Sequence, residues 1–146
     1  MIAPTTPEDA RYVANHLRDE DRRAIASWTD EDPAELAFYW ATNSNLSWVV
    51  YAPDGTPVCM FGADGERGEE FGAAWMYSTP DVWRAPLALV KCVACGMAIS
   101  REWWPELRID AEPRDEKQTR FLEFIGFRER SRFERGGQLF VELANA

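Results

Sequence analysis

RDEKQTRFLEFIGF, residues 114–127, is the stretch from which the rest of the chain is read. Pro113 precedes it, where a helix loses nothing by lacking an N–H. Asp115 and Glu116 fall in the first turn, where carboxylates suit the positive helix end. Phe121, Leu122, Phe124 and Ile125 recur at helical spacing and give one apolar face. Gly126 fits the left-handed stop, and Phe127 opens the next element. The stretch predicts an amphipathic helix over 114–125, then a glycine stop, then a strand.

Around it lies a chain of 146 residues, the size of one domain spanning 1–146 and long enough for a real core. A hydrophobic share of 46% and an aromatic share of 13% exclude disorder. The formal charge of −9 opposes binding to nucleic-acid phosphates or anionic membranes and suits a basic partner surface. Cys59, Cys92 and Cys95 are odd in number and unevenly spaced, so no disulfide framework is expected. Cys92 and Cys95 form C-x-x-C inside a helical run. With His16 as the one histidine there is no set of four zinc ligands, and core thiols are expected instead of a metal site. No leader and no apolar run near membrane length is visible, so a soluble, cytoplasmic protein is expected.

Taken in order, residues 1–3 form a candidate strand. Thr6, Pro7, Glu8 and Asp9 are an N-cap, a Pro at N1 and an acidic first turn, with Ala10, Val13, Ala14 and Leu17 on one face. His16 is read as a helix-surface residue. A charged connection leads to a second helical piece, 22–28, and Asp32-Pro33 opens a third, 33–42, whose aromatics Phe38, Tyr39 and Trp40 predict a buried face. Three strand-like runs come next, at 47–52, 57–62 and 70–77, the first two joined by Pro53-Asp54-Gly55-Thr56. Residues 86–101 are a long helix with Leu87, Val90, Ala94, Met97 and Ala98 as the expected buried face. Gly96 within it allows close packing on the sheet. Residues 107–111 alternate as a strand, and 127–133 and 138–143 flank a Gly-Gly turn. The result is an α+β meander.

The ending Phe121-Leu122-Glu123-Phe124-Ile125-Gly126-Phe127 resembles the last helix of the GNAT acetyltransferases, which reads N-x-x-A-x-x-x-Y-x-x-x-G-F. Aligned on Gly126-Phe127, Asp115 stands in place of the Asn and Leu122 in place of the Tyr. The element order resembles the same superfamily along nearly the whole chain. The layout is also similar to small GNAT-like proteins encoded by phages. The resemblance implies a mixed, mostly antiparallel sheet with helices on both faces, and acetyl-CoA or coenzyme A as cofactor. In the superfamily the loop before the long helix carries R/Q-x-x-G-x-G/A and receives the pyrophosphate. Here it reads Trp83-Arg84-Ala85-Pro86-Leu87-Ala88, without glycine. Arg84, the backbone of Leu87 and Ala88, Tyr77 and Asp115 are the cofactor candidates this implies.

Acetyl transfer needs a base, an oxyanion donor and an acid for the leaving thiolate. The family's Tyr acid is Leu122, which donates no proton. Glu70 as base, Tyr77 as acid, and Glu123 are the candidate substitutes. Two functions from different classes are open. One is an N-acetyltransferase acting on a protein or a small amine. The other is a GNAT-fold protein that has lost catalysis and binds another protein, a host enzyme or regulator on the phage resemblance, through aromatic anchors such as Trp83, Trp103 and Trp104. Three altered motif positions put binding ahead. A virion component is a third reading.

Overall fold

The computed structural model describes residues 2–145. Met1, the start of the first expected strand, lies outside them. In order the elements are β1 (Ile2–Pro4), α1 (Pro7–Asn15), α2 (Asp19–Ala26), α3 (Pro33–Asn43), β2 (Leu46–Tyr51), β3 (Pro57–Asp64), β4 (Phe71–Ser78), a 3-10 turn (Pro80–Arg84), α4 (Pro86–Ser100), β5 (Glu106–Ala111), α5 (Glu116–Phe124), β6 (Arg128–Arg135) and β7 (Gln138–Asn145). The caps explain the helix starts. Thr6 accepts from the Asp9 N–H and Asp32 from the Glu35 N–H, each followed by Pro. Gly126 ends the α5 region at φ 113, a conformation that favours glycine.

The seven strands form one sheet in the order β1-β2-β3-β4-β5-β7-β6. Every neighbouring pair is antiparallel except β4–β5. That parallel pair brackets α4, as a strand–helix–strand crossover requires. It is short: Phe71, Gly72 and Ala73 face Glu106, Leu107 and Arg108, and beyond them the two strands part. The splay lies at the Ser78 end of β4 and opens a crevice in the middle of the sheet.

Two apolar layers cover the faces. One joins α4 and α5 to the sheet through Leu89, Val93, Met97, Phe121, Leu122 and Trp104. The other packs α1, α2 and α3 through Ala10, Val13, Ile25, Ala37 and Ala41 against Met60 and Trp75. This is an α+β, GNAT-like sheet with helices on both faces.

Several expectations need correction. The buried face of α4 is Leu89, Cys92, Val93, Gly96, Met97 and Ser100, while Leu87 is 75% exposed. Lys91 is the one charged residue of the helix and apolar residues stand on every side, so their spacing cannot select a face. A Cβ on Gly96 would lie 2.5 Å from the Phe61 ring, so the expected close approach is present. On α3 the core is made by the alanines, and Tyr39 is exposed. The α5 face includes Phe121 and Leu122, but Phe124 points to solvent. Of the thiols, Cys59 and Cys92 are buried and Cys95 is exposed.

Candidate functional site

The crevice exists because backbone pairing stops early. Thr79 donates its N–H to the Val58 carbonyl, so the odd-numbered residues of β4 turn their backbone groups towards β3. By the two-residue period, Met76 and Ser78 turn theirs towards β5, beyond the end of the ladder. At Ser78 those groups are taken by the chain itself. Its N–H donates to Asp21 Oδ2 at 2.9 Å, and its carbonyl accepts from the Arg18 N–H at 2.9 Å.

The side chains close the same gap. Arg18 donates through Nη2 to Asp21 Oδ1 at 3.0 Å and to Asp115 Oδ2 at 2.9 Å. All three are buried: the side chain of Arg18 is 4% exposed. Trp83 lies 5.7 Å over the guanidinium and meets Phe121 edge-on. The cluster holds two carboxylates and one cation. Burial pushes the Asp21 carboxyl up, against the pull of Arg18 and of the Ser78 N–H. Burial also works to discharge Arg18, but Asp21 and Asp115 outweigh it and raise its pKa further.

Two clefts border this cluster. The outer one, about 470 Å³, runs between the 3-10 turn and the start of α5, past Pro80, Trp83, Arg114 and Lys117. The inner one, about 220 Å³, opens on the α2 face. Trp28 and Trp40 stand at its helical side, Trp75 and Tyr77 on β4, Asp110 on β5 and Phe140 on β7. Glu20 and Asp115 border both. The far wall of the inner cleft is fixed by the β6–β7 turn. Gly136, at φ 58, lies against the Ser27 backbone so closely that a Cβ would overlap it, and Arg135 Nε donates to Ser27 Oγ at 3.2 Å. Asp110 meets Arg135 Nη1 at 3.4 Å, and burial nonetheless raises its pKa. Burial likewise pushes the Tyr77 hydroxyl up. Glu112 receives Arg23 and Arg114, which together overcome burial and lower its pKa.

The sequence candidates fall in different places. Tyr77 lines the inner cleft and stacks on Trp75 at 5.4 Å. Glu70 does not join it. It is exposed, just before β4, seven residues and roughly 23 Å of extended strand from Tyr77. Glu123 is exposed on α5 beside a separate surface hollow. Neither faces the cleft. Trp104 is no surface anchor: it is 1% exposed, lies on Gly72 and donates its indole N–H to the Glu66 carbonyl at 2.8 Å. Trp103 is half-buried beneath Arg67. Arg18 and Asp21, which hold the centre of the crevice, are not among the sequence candidates. The one signal for them is Asp115 itself, an acid at a buried position that requires a cation.

An acyl-CoA fits these residues poorly. The start of α4 does offer exposed Leu87 and Ala88, but Pro86 stands at the first glycine position and supplies no N–H. Arg84 is paired with Asp81 at 3.2 Å. The Ser78 N–H and carbonyl are already hydrogen-bonded, and Asp115 of the buried cluster borders both clefts. Among the described residues no helix is long and apolar enough to cross a membrane.

No protein-family model and no curated protein matches the chain in sequence. Solved structures match it in fold. A ribosomal-protein-alanine N-acetyltransferase from Brucella melitensis superposes with a TM-score of 0.74 at 16% identity, over 99% of this chain and 98% of that one. An acetyltransferase of the GNAT family from Streptococcus pneumoniae gives 0.63 at 14% identity, over 99% and 98%. One from Bacillus anthracis gives 0.65 at 15%, over 98% and 90%. Sheet order, the splayed parallel pair and these superpositions agree: the chain has the fold of the GNAT acetyltransferases.

Proposed function

We propose that this protein acts by binding another protein, on a GNAT fold whose acyl-donor passage is closed by its own buried charges. The observation that supports this is the Arg18–Asp21–Asp115 partition. Acyl transfer needs the thioester carbon and the acceptor amine within about 3–3.5 Å of each other. A donor in the outer cleft and an acceptor in the inner one are kept apart by three buried charged side chains. Displacing Arg18 would strand two buried carboxylates without their cation, which costs about 3–5 kcal/mol. The replacement of the family's tyrosine by buried Leu122 supports the same reading. The compact layout, similar to small phage-encoded GNAT-like proteins, makes a host enzyme or regulator the expected partner.

Calorimetry on the purified protein with acetyl-CoA and with coenzyme A tests it. No heat of binding is expected up to millimolar ligand. Micromolar binding, or acetyl transfer to any member of a broad amine panel, would overturn the proposal and restore the acetyltransferase reading.

A further inference from the structure

The solvent side of α4 has the pattern of a helix that faces another helix. Its inner side packs on β2, β3 and the 3-10 turn, and its outer side is open. Along that outer side Ala88, Lys91, Cys95, Ala98 and Glu102 follow at alternating steps of three and four residues, and all five are exposed. Glu102 lies just past the C-cap and still donates its N–H to the Ile99 carbonyl at 3.1 Å. This spacing makes a straight stripe of the kind that meets one partner helix. Its small side chains let two helix axes approach to about 8 Å. Ile99, 39% exposed, adds an apolar flank.

The charges select the partner. Lys91 and Glu102 are the charged members of the stripe, and neither makes an ion pair among the described residues. On their own helix they stand about 16 Å apart, too far to meet. Against a second, antiparallel copy of α4, Lys91 falls opposite Glu102 at both ends. The same two-fold axis, between residues 96 and 97, sets Cys95 opposite Ala98 and Ala94 opposite Ile99. A parallel pairing would set lysine on lysine and glutamate on glutamate. The stripe is thus self-complementary in the antiparallel sense, as an isologous interface requires.

Going beyond the function proposed above and independent of it, we infer that α4 is the contact between two copies of this chain, packed antiparallel and closed at each end by a Lys91–Glu102 pair. The contact is small, and the net charge of −9 opposes association at long range, so the dimer is reversible, with dissociation in the micromolar range.

Sedimentation equilibrium of the full chain tests this, at about 0.15 M salt, which screens charge beyond about 8 Å. The mass is expected to rise from 16.7 kDa to twice that value between micromolar and millimolar protein. Lys91→Glu and Glu102→Lys should each weaken the dimer at least tenfold. The double variant should return to within about threefold of the original, which also shows that the charge reversals leave the chain folded. Cys95 is the exposed cysteine. In a glutathione redox buffer, Ala98→Cys should therefore form a disulfide-linked dimer through Cys95, since facing Cα atoms lie within the roughly 7 Å that the bond needs. Glu123→Cys, on the exposed side of α5, should not. A monomer at every concentration, a dimer indifferent to both charge reversals, a double variant no better than the singles, or equal cross-linking of Ala98→Cys and Glu123→Cys would each overturn the inference.

Discussion

At the Phe71–Glu106 end of the seam, β4 and β5 share a backbone ladder and Trp104 lies flat on Gly72. At the Ser78 end the strands have parted and Arg18 lies between Asp21 and Asp115. The same two strands are therefore joined once by main chain and apolar packing, and once by buried charge. The first junction stabilises through contact area and tolerates no added atoms. The second gains little net stability, because desolvation offsets attraction, yet it breaks badly when the shared cation is removed. What the second junction does supply is partners for the Ser78 N–H and carbonyl, which the β4–β5 ladder leaves unpaired.

The largest effect is expected at the packed end. Trp104→Ala removes a buried indole from above Gly72 and should cost about 4 kcal/mol, read as a lower denaturant midpoint with unchanged m-value. A loss under about 1 kcal/mol would mean that the packed end does not hold the seam. Next, Arg18→Met leaves two buried carboxylates facing each other and should cost about 3 kcal/mol. Asp115→Asn, which leaves a one-to-one Arg18–Asp21 pair, should cost under about 1 kcal/mol. Equal losses in these two variants would contradict a cluster centred on Arg18.

Smaller still, Leu122→Tyr should cost about 2 kcal/mol by overpacking, since Leu122 is buried beside an apolar space of only about 30 Å³. It should add no acetyl transfer, and a gain in turnover would show that the residue merely lacks a proton.

The finest contrast is in pH. Glu112 has a lowered pKa in the fold, so its contribution is present above the ordinary glutamate value and is lost as pH falls through the lowered one. Asp21 has a raised pKa, so stability is lost as pH rises from the ordinary aspartate value through the raised one. Glu112→Gln should flatten the acid limb of the stability curve, and Asp21→Asn should flatten the opposing rise. Parallel shifts in both variants would be inconsistent with these opposite signs.

Much of the fold is legible in local chemistry. Thr6-Pro7 and Asp32-Pro33 mark helix starts because their side chains meet backbone N–H groups three residues on, and Gly126 marks a stop because of its φ. The parallel, splayed β4–β5 pair also agrees with the strand–helix–strand order. The hidden features depend on distance along the chain or on uniform composition. No spacing on a largely apolar α4 distinguishes Leu87 from Leu89. Trp104 reads like any terminal tryptophan until Gly72 is seen beneath it. Arg18 sits in a run of mixed charges, and its partner Asp115 is 97 residues away. Tyr77 is legible as a cleft residue because it lies near the end of a strand. Glu70 is not its partner, because seven extended residues separate it from that end.

The reach of the Arg18–Asp115 contact has a consequence for synthesis. Ribosomes deliver the chain from its first residue, so α1 to α3 emerge long before their counterparts. Arg18 stays hydrated until Asp115 arrives 97 residues later, and Ser27 waits 108 residues for Arg135. Loop closure over such spans is slow, and unmatched apolar faces stay open meanwhile. The N-terminal third, although helical and locally well capped, thus becomes native only as the last hairpin is completed. A nascent chain halted before residue 115 is expected to be a chaperone client and not a folded intermediate.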